Sequence, residues 1–124
     1  MTPFGKLLRQ ERKERAMLLG DLAEKLGIST PYLSQLETGQ KPLKEAFVEK
    51  VIRVLEFGSA QANEVRRAAA QTTAQKFNTY SIEIRDDAEM EDRELASHLA
   101  LAFNRLSPTA KKRMSELLKD ETHG

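Results

Sequence analysis

The residues with the clearest capacity for chemistry lie in the stretch GISTPYLSQLETGQKP, which spans residues 27–42. Hydroxyl, phenol and amide groups recur there, and no residue is charged between positions 29 and 36. A helix that carries such donors and acceptors fits the major groove of B-DNA, where each base pair shows a distinct hydrogen-bonding pattern. The candidate recognition residues on the N-terminal end and solvent face of this predicted helix are Ser29, Thr30, Pro31, Tyr32, Ser34 and Gln35.

Other chemistries find little support in the residue inventory. The chain has no cysteine, which excludes disulfides and thiolate metal sites. His98 and His123 are isolated and make a poor metal site. The acidic run at positions 86–92 is interpreted as a solvated helix start, and no Ser-His-Asp or paired-carboxylate arrangement can be proposed. We therefore predict that the protein is not an enzyme and holds no metal and no cofactor.

The composition is typical of a globular protein, with 40% hydrophobic and 31% charged residues among 124. The N-terminus contains no apolar signal-peptide core, and no apolar run approaches the roughly 20 residues of a membrane span. We therefore expect a soluble cytoplasmic protein without a membrane partner.

Charge is distributed unevenly along the chain, although the formal net charge is only +1. Residues 1–80 contain 13 Lys and Arg against 9 Asp and Glu, whereas residues 81–124 contain 7 against 10, so the two parts carry +4 and −3. The difference suggests a division of labour, although ordinary solvated helix faces explain it equally well.

Five helices are predicted in the first 75 residues from apolar periodicity and from capping residues. Pro3 suits a first turn, and Gly27 and Gly39 suit the left-handed position that ends a helix. Either Ser29 or Thr30 can cap the third helix. The predicted helices run over about residues 3–15, 20–26, 29–39, 44–57 and 59–75.

The second and third predicted helices, joined at residues 27–29, form a helix-turn-helix arrangement. The stretch LGDLAEKLGISTPYLSQLETGQKPL resembles the helix-turn-helix core of the lambda-repressor-like family, also called the xenobiotic-response-element family of regulators. The resemblance covers about residues 3–55, extends at most to residue 71, and implies a five-helix DNA-binding fold. The matching motifs are Leu22-Ala23, Leu26-Gly27-Ile28, Tyr32-Leu33-Ser34-Gln35-Leu36-Glu37 and Gly39.

The resemblance implies base contacts for five residues of the recognition helix. Thr30, Pro31 and Gln35 fall at its usual base-facing positions, and Ser29 and Ser34 lie beside them.

The resemblance also implies two roles outside the base-facing positions. Gln40 and Lys41 fall where the family contacts phosphate. Arg12 and Glu37 fall where the family places a structural ion pair between the first and third helices. Tyr32 either packs at the domain edge or touches a phosphate, and we place it among the candidate phosphate contacts.

The sequence departs from the family pattern in two places. Met17-Leu18-Leu19 stands where the family has a polar cap, so only backbone N–H groups could contact a phosphate there. Pro31 can make only apolar contact with a base, and positions 29–36 hold no Arg or Lys for a bidentate guanine contact. More of the affinity is therefore expected from phosphate contacts by the flanking residues Arg9, Lys13, Lys41 and Lys44.

The chain is divided into a helix-turn-helix DNA-binding domain over residues 1–75 and a C-terminal segment over residues 76–124. We predict a mainly α fold, in which the five-helix domain is followed by a short strand and two helices.

The C-terminal elements are predicted from local signals. Apolar and polar residues alternate at positions 80–85, which predicts the strand. Asp86 or Asp87 is expected to cap a sixth helix over about residues 88–106, and Ser107-Pro108 is expected to open the last helix.

The C-terminal segment is the predicted dimerisation element, because members of the family that the sequence resembles bind two-fold symmetric sites as dimers. Two copies of the predicted strand could pair, or the apolar residues of the sixth helix could pack against their counterparts. In a third reading, these residues pack back on the fifth helix. The candidate dimerisation residues are Ile82, Ile84, Leu95, Leu99, Phe103 and Leu106.

We predict a sequence-specific DNA-binding transcriptional regulator, a repressor that binds a palindromic operator in double-stranded DNA as a homodimer. The alternative is an antitoxin-type protein-interaction module, which binds a toxin through its C-terminal segment and represses its own operon. A neighbouring gene for a small toxin-like protein would favour the alternative.

Overall fold

The computed structural model describes residues 1–122, and within that range the chain forms seven α-helices and no β-strand. Its backbone forms two compact units, Met1–Tyr80 and Ser81–Gly124. The first unit contains α1 (Pro3–Glu14), α2 (Leu19–Leu26), α3 (Thr30–Thr38), α4 (Glu45–Val54) and α5 (Ser59–Lys76). The second unit contains α6 (Met90–Ala102), a 3₁₀ turn (Phe103–Arg105) and α7 (Pro108–Thr122).

One apolar core lies at the centre of the first unit, and each of its helices contributes to it. Phe4 of α1 is fully buried and meets Phe47 of α4 edge-on, with ring centroids 6.0 Å apart. Residues three or four positions apart share the inner face of each helix, as amphipathic helices require. The other large buried residues are Leu8, Leu22, Leu26, Leu33, Leu36, Val51, Leu55 and Val65.

Helices α1 and α3 approach each other closely at Gly5. A Cβ atom there would collide with the backbone carbonyl of Glu37, so only glycine fits. Thr2 caps α1: its hydroxyl oxygen accepts from the Gly5 N–H over 3.0 Å, and the hydroxyl donates to the Glu37 carbonyl. The Phe4 N–H donates to Thr72 Oγ1 of α5 over 2.9 Å. These bonds tie α1 to both α3 and α5.

Left-handed residues follow four helices of the first unit, and the first of them is Ala16 after α1, with a φ of 52°. Gly27 after α2 has a φ of 71° and Gly39 after α3 has a φ of 80°, which confirms the predicted ends of both helices. Glu56 adopts a φ of 54° just after α4. Helix α4 therefore ends at Val54, before the end that the sequence predicted near residue 57.

The predicted strand at residues 80–85 is wrong. Residues 77–89 contain neither helix nor strand, and Ile82 and Ile84 therefore do not lie on a strand. Strands are stable only in sheets, and no second strand exists within residues 1–122 to pair with this one. Instead, the Arg93 guanidinium donates hydrogen bonds to the carbonyls of Arg85 and Asp86, over 3.2 and 3.1 Å.

The sixth helix is shorter at both ends than predicted. It begins at Met90 after Glu89, so neither Asp86 nor Asp87 caps it. It ends where the chain tightens into the 3₁₀ turn at Phe103–Arg105.

The second unit buries none of its described side chains fully, because every residue from 81 to 121 is exposed or half-buried. Its elements are held by local contacts. The Ser107 hydroxyl oxygen accepts from the Ala110 N–H at the start of α7 over 3.1 Å, and the Lys111 ammonium lies 5.1 Å from the centre of the Phe103 ring. Across residues 1–122, no helix has the length and apolar composition that a membrane crossing needs.

Candidate nucleic-acid interface

Helices α2 and α3 meet at their N-terminal ends. Residues 27–29 form the turn between them. A Cβ atom added at Gly20, in the first turn of α2, would lie 3.5 Å from Thr30 Oγ1 at the start of α3. In DNA-binding helix-turn-helix motifs, the second helix places its N-terminal residues in the major groove. The start of α3 is therefore the part of this surface that can reach base edges.

The inner face of α3 is held in the core by Leu33 and Leu36, which are both buried. Its N-terminal end and outer side remain open to a ligand. Among the predicted base-facing residues and the neighbouring tyrosine, the exposed ones are Ser29, Thr30, Pro31 and Tyr32, and the half-buried ones are Ser34 and Gln35. All six residues therefore lie between the N-cap and the middle of α3, and none of them is buried.

Ser29, rather than Thr30, caps α3. The Ser29 hydroxyl oxygen accepts a hydrogen bond from the Tyr32 N–H over 3.2 Å. Thr30 is the first helical residue, and its exposed hydroxyl is not used in the cap. A hydroxyl that accepts in a cap keeps its own hydrogen, so Ser29 can still donate to a base or a phosphate.

The loop after α3 folds back over the end of that helix. The Gln40 N–H donates to the Gln35 carbonyl over 2.9 Å and the Gly39 N–H to the Leu36 carbonyl over 3.4 Å, which is a Schellman motif, and the Lys41 N–H also donates to the Gln35 carbonyl over 3.3 Å. The side chains of Gln40, Lys41 and Lys44 are exposed, and Lys44 is the N-cap residue of α4. The predicted phosphate contacts therefore lie on a segment that is anchored to the recognition helix.

Arg12 of α1 and Glu37 of α3 form an ion pair, and each side chain is only 11% exposed. Burial raises the pKa of Glu37 above its usual value, and this shift is opposed by Arg12 and more weakly by Arg9. Because the pair lies between α1 and α3, it connects the recognition helix to the scaffold and neutralises the charge of both partners.

An anion already occupies the N-terminus of α2. The Leu18 N–H donates to Asp21 Oδ2 over 2.8 Å, so a carboxylate lies where the helix dipole would favour a phosphate. The Leu18 side chain itself is apolar and 75% exposed. The Asp21 carboxylate therefore disfavours a phosphate at this helix end.

Two lysines that sequence reasoning missed lie beside the motif. Lys50 of α4 places its ammonium 3.7 Å from the position of a Cβ atom at Gly27, and Lys76 of α5 lays its side chain across Gly39. Both residues follow the motif by many positions, and only packing brings them to it. No spacing rule within the motif could have identified them.

The six candidate dimerisation residues do not share one element. Ile82 and Ile84 lie in the irregular segment, whereas Leu95 and Leu99 lie four positions apart on α6 and share a face. Phe103 belongs to the 3₁₀ turn. Three of the candidates, Ile82, Leu95 and Phe103, are exposed, and the other three, Ile84, Leu99 and Leu106, are half-buried.

Metal-ligand side chains are dispersed in the described chain. Residues 1–122 contain no group of three or more His, Cys, Asp or Glu side chains that could hold an ion. His98 is exposed on α6, and His123 lies outside the described residues.

A family model for a helix-turn-helix domain matches residues 3–71, which is more than half of the 124-residue chain. The match begins with α1, includes all of α2, α3 and α4, and ends within α5. No curated protein and no solved structure matches the chain. The matched family supports a DNA-binding regulator with DNA as its partner, and the chain belongs to this helix-turn-helix domain family.

Proposed function

We propose that this protein is a sequence-specific transcriptional repressor of the lambda-repressor-like kind, which binds a palindromic operator as a homodimer in the cytoplasm. The observation that carries the proposal is the exposed N-terminal end of α3 with its neutral hydrogen-bonding side chains, while the exposed Lys41 and Lys44 follow the C-terminal end of the same helix. Its activity is binding, without catalysis and without a cofactor.

Gln35 is the principal base reader in this proposal. Its amide donates and accepts at once, which matches N6 and N7 of an adenine. Pro31 lies four positions earlier on the same face of α3, and its ring suits the methyl group of a thymine. Hydroxyl groups for further base contacts come from the neighbouring residues Ser29, Thr30 and Ser34.

Phosphate contacts supply most of the affinity, because positions 29–36 lack Arg and Lys and Asp21 occupies the end of α2. The loop residues Gln40, Lys41 and Lys44 carry these contacts, together with the exposed Tyr32. Contacts to the backbone set the position of the protein on the duplex, and the α3 side chains select the sequence.

The proposed DNA-binding form is a homodimer, because one recognition helix reads only a few base pairs. A two-fold symmetric dimer places its recognition helices in successive major grooves, with half-sites about 10 base pairs apart. The exposed Leu95, Leu101 and Phe103 support association, because apolar side chains gain free energy when a partner removes them from water. The residues proposed for the interface are Ile82, Ile84, Leu95, Leu99, Phe103 and Leu106.

A second candidate function is favoured by the same apolar exposure in the second unit. An antitoxin-type module would use these residues to grip a toxin, while α3 represses the operon that encodes both proteins. Coexpression with the product of the neighbouring gene separates the two functions. A stable complex with that product favours the antitoxin, and a homodimer that ignores it favours the plain repressor.

Selection from random duplex DNA, at a fixed and near-physiological salt concentration, tests the proposal. We expect a two-fold symmetric motif with half-sites about one helical turn apart. Enrichment of no sequence, with binding that vanishes as salt rises, would contradict a sequence-specific regulator.

Three variants assign the roles within the selected motif. We expect Gln35→Ala to lose about 1–3 kcal/mol of binding free energy per contact and to relax the preference at one base pair. Lys41→Ala is expected to weaken binding to all sequences alike. Gln61→Ala, which changes an exposed glutamine of α5, is the matched control and should leave the motif unchanged.

A further inference from the structure

The end of α5 reaches the end of the recognition helix. Lys76 is the last residue of α5, and Gly39 is the left-handed residue that ends α3. A Cβ atom at Gly39 would lie 2.7 Å from Cγ of Lys76 and 3.1 Å from both Cδ and Cε. The aliphatic stem of Lys76 therefore runs along the bare face of the glycine, and its ammonium follows one bond beyond Cε.

This position puts a positive charge beside the loop that follows α3. Gln40 and Lys41 come directly after Gly39, and their N–H groups are bonded to the Gln35 carbonyl. The side chains of Gln40 and Lys41 are exposed, as is that of Lys76. Two lysines from distant parts of the sequence thus flank one short piece of backbone.

No carboxylate neutralises the Lys76 ammonium within residues 1–122. Three ion pairs of the first unit, Arg12–Glu37, Arg15–Glu11 and Arg66–Glu49, do not involve Lys76. The stem of Lys76 lies against Gly39, and its charged head has no carboxylate partner. An anionic ligand can therefore pair with the ammonium without displacing a carboxylate.

We propose that Lys76 binds a phosphodiester group of the DNA backbone, beside the phosphate that the Gln40–Lys41 segment contacts. This inference rests on the proposed DNA-binding function and extends its phosphate site to the end of α5. A lysine ammonium binds phosphate as a point charge, and such a contact adds affinity without sequence preference.

The contact with Gly39 restricts the Lys76 side chain before DNA binds. Since the Lys76 stem lies against the glycine, it has fewer accessible rotamers than a freely solvated lysine. The entropy that a lysine loses when it grips a phosphate is therefore partly lost before DNA arrives, which favours binding. Any side chain at position 39 would occupy the path of the stem.

A purely structural role for Lys76 makes a different prediction. A cation near the C-terminus of α3 interacts favourably with the helix dipole, and its removal would lower the stability of the fold. Two of the terminal carbonyls of α3 already accept backbone hydrogen bonds, since Gly39 donates to Leu36 over 3.4 Å and Gln40 donates to Gln35 over 2.9 Å. The test must therefore follow DNA binding and thermal stability together.

The test is the salt dependence of duplex binding for the full-length Lys76→Met variant, which keeps an aliphatic stem and removes the charge. We expect the slope of log K against log salt, measured between about 50 and 200 mM, to become shallower by about 0.9 per copy. The preferred sequence and the thermal unfolding midpoint should stay unchanged. Lys25→Met, which changes an exposed lysine of α2, is the matched control and should keep the wild-type slope.

A wild-type slope for Lys76→Met would overturn the inference, and so would a lowered unfolding midpoint without any change of slope. The slope can be measured on any duplex, so it does not depend on a selected operator. A shallower slope without any preferred sequence would support Lys76 as a phosphate ligand and contradict only the sequence-specific function. Failure of the wild-type protein to bind duplex DNA would contradict both.

Discussion

Both units of the chain are helical, but their helices differ in what they bury. Every helix from α1 to α5 contributes buried residues, whereas residues 81–121 contribute none. Isolated helices shorter than about 12–15 residues are marginal in water and depend on packing. The first unit therefore has an apolar core of its own, whereas residues 81–121 of the second unit have no fully buried side chain.

The net charge also differs between the two parts of the chain. Residues 1–80 carry +4 and residues 81–124 carry −3, from the lysine, arginine, aspartate and glutamate counts. A positive unit attracts a polyanion, and a negative one repels it. The net positive charge of residues 1–80 therefore suits the DNA partner that the matched helix-turn-helix family implies.

The largest expected effect compares one phenylalanine from each unit. Phe4 is 0% exposed and Phe103 is 49% exposed. We expect Phe4→Ala to lower the free energy of unfolding by about 3–5 kcal/mol because it opens a cavity in the core. Phe103→Ala should cost less than about 1 kcal/mol, as for other exposed positions, at a protein concentration low enough for the proposed dimer to dissociate. Urea denaturation followed by circular dichroism measures both values, and equal losses would break the comparison.

A smaller effect is expected from the ion pair that connects α1 to α3. Arg12→Met leaves the Glu37 carboxylate buried without its partner, and we expect a loss of about 3 kcal/mol in the free energy of unfolding. Arg66→Met is the matched control, because the side chains of Arg66 and Glu49 are 45% and 33% exposed. Its cost should stay below about 1 kcal/mol in the same denaturation experiment.

The second substitution in that pair provides a further check. Replacing both partners, in Arg12→Met with Glu37→Leu, removes the stranded charge and should recover much of the loss. A double variant as unstable as Arg12→Met alone would show that the loss does not come from the unpaired carboxylate.

The smallest expected effect is a pH dependence in the first unit. Burial raises the pKa of Glu37 in the folded state above its ordinary value of 4.5, so the folded chain holds that proton more tightly than the unfolded chain. The resulting stabilisation is complete below the unfolded pKa and is lost as the pH rises through the folded pKa.

Glu37→Gln isolates this contribution. We expect the stability of the wild-type protein, relative to that of Glu37→Gln, to fall as the pH rises from about 4 to 7. Denaturation midpoints of both proteins at a series of pH values measure the trend. Glu94→Gln, at an exposed position of α6, should show no such trend, and a relative stability that rises with pH for Glu37 would contradict the raised pKa.

Helix ends in the first unit could be predicted because their causes are local. Gly27 and Gly39 adopt the left-handed conformation that glycine tolerates best. Each follows the last apolar residue of an amphipathic helix. Glu56 could not be identified in this way, since glutamate has no preference for a positive φ. The next residue, Phe57, packs against the core and its N–H donates to the Ile52 carbonyl over 3.1 Å, so Glu56 lies in the turn that ends α4.

The wrong strand prediction shows the opposite case. Alternation at residues 80–85 indicates which side chains would share a face of a strand, but a strand also needs a neighbour that local sequence does not reveal. The structure instead bonds Arg93 to the carbonyls of Arg85 and Asp86. Arginine has five donors and finds carbonyls by proximity in space, which periodicity does not encode.

The candidate DNA-binding site also has one part that local sequence predicted and one part that it did not. Helical spacing was enough to place Pro31 and Gln35 together on α3, although their contacts with bases stay predictions. The position of Lys76 across Gly39 depends on the packing of α5, and no pattern within the motif contains it. Local signals thus located the recognition helix, and the tertiary fold supplied its neighbours.

The close contact at Gly5 has a consequence for how this protein can diversify. Helix α3 is held through Gly5, Leu33 and Leu36, whereas Pro31 and Gln35 are not buried. In the proposed function, substitutions at the outer positions change the preferred operator while the fold survives, but position 5 is closed to every residue with a side chain. New regulatory targets become accessible through a few substitutions on a scaffold that cannot itself drift at its tightest point.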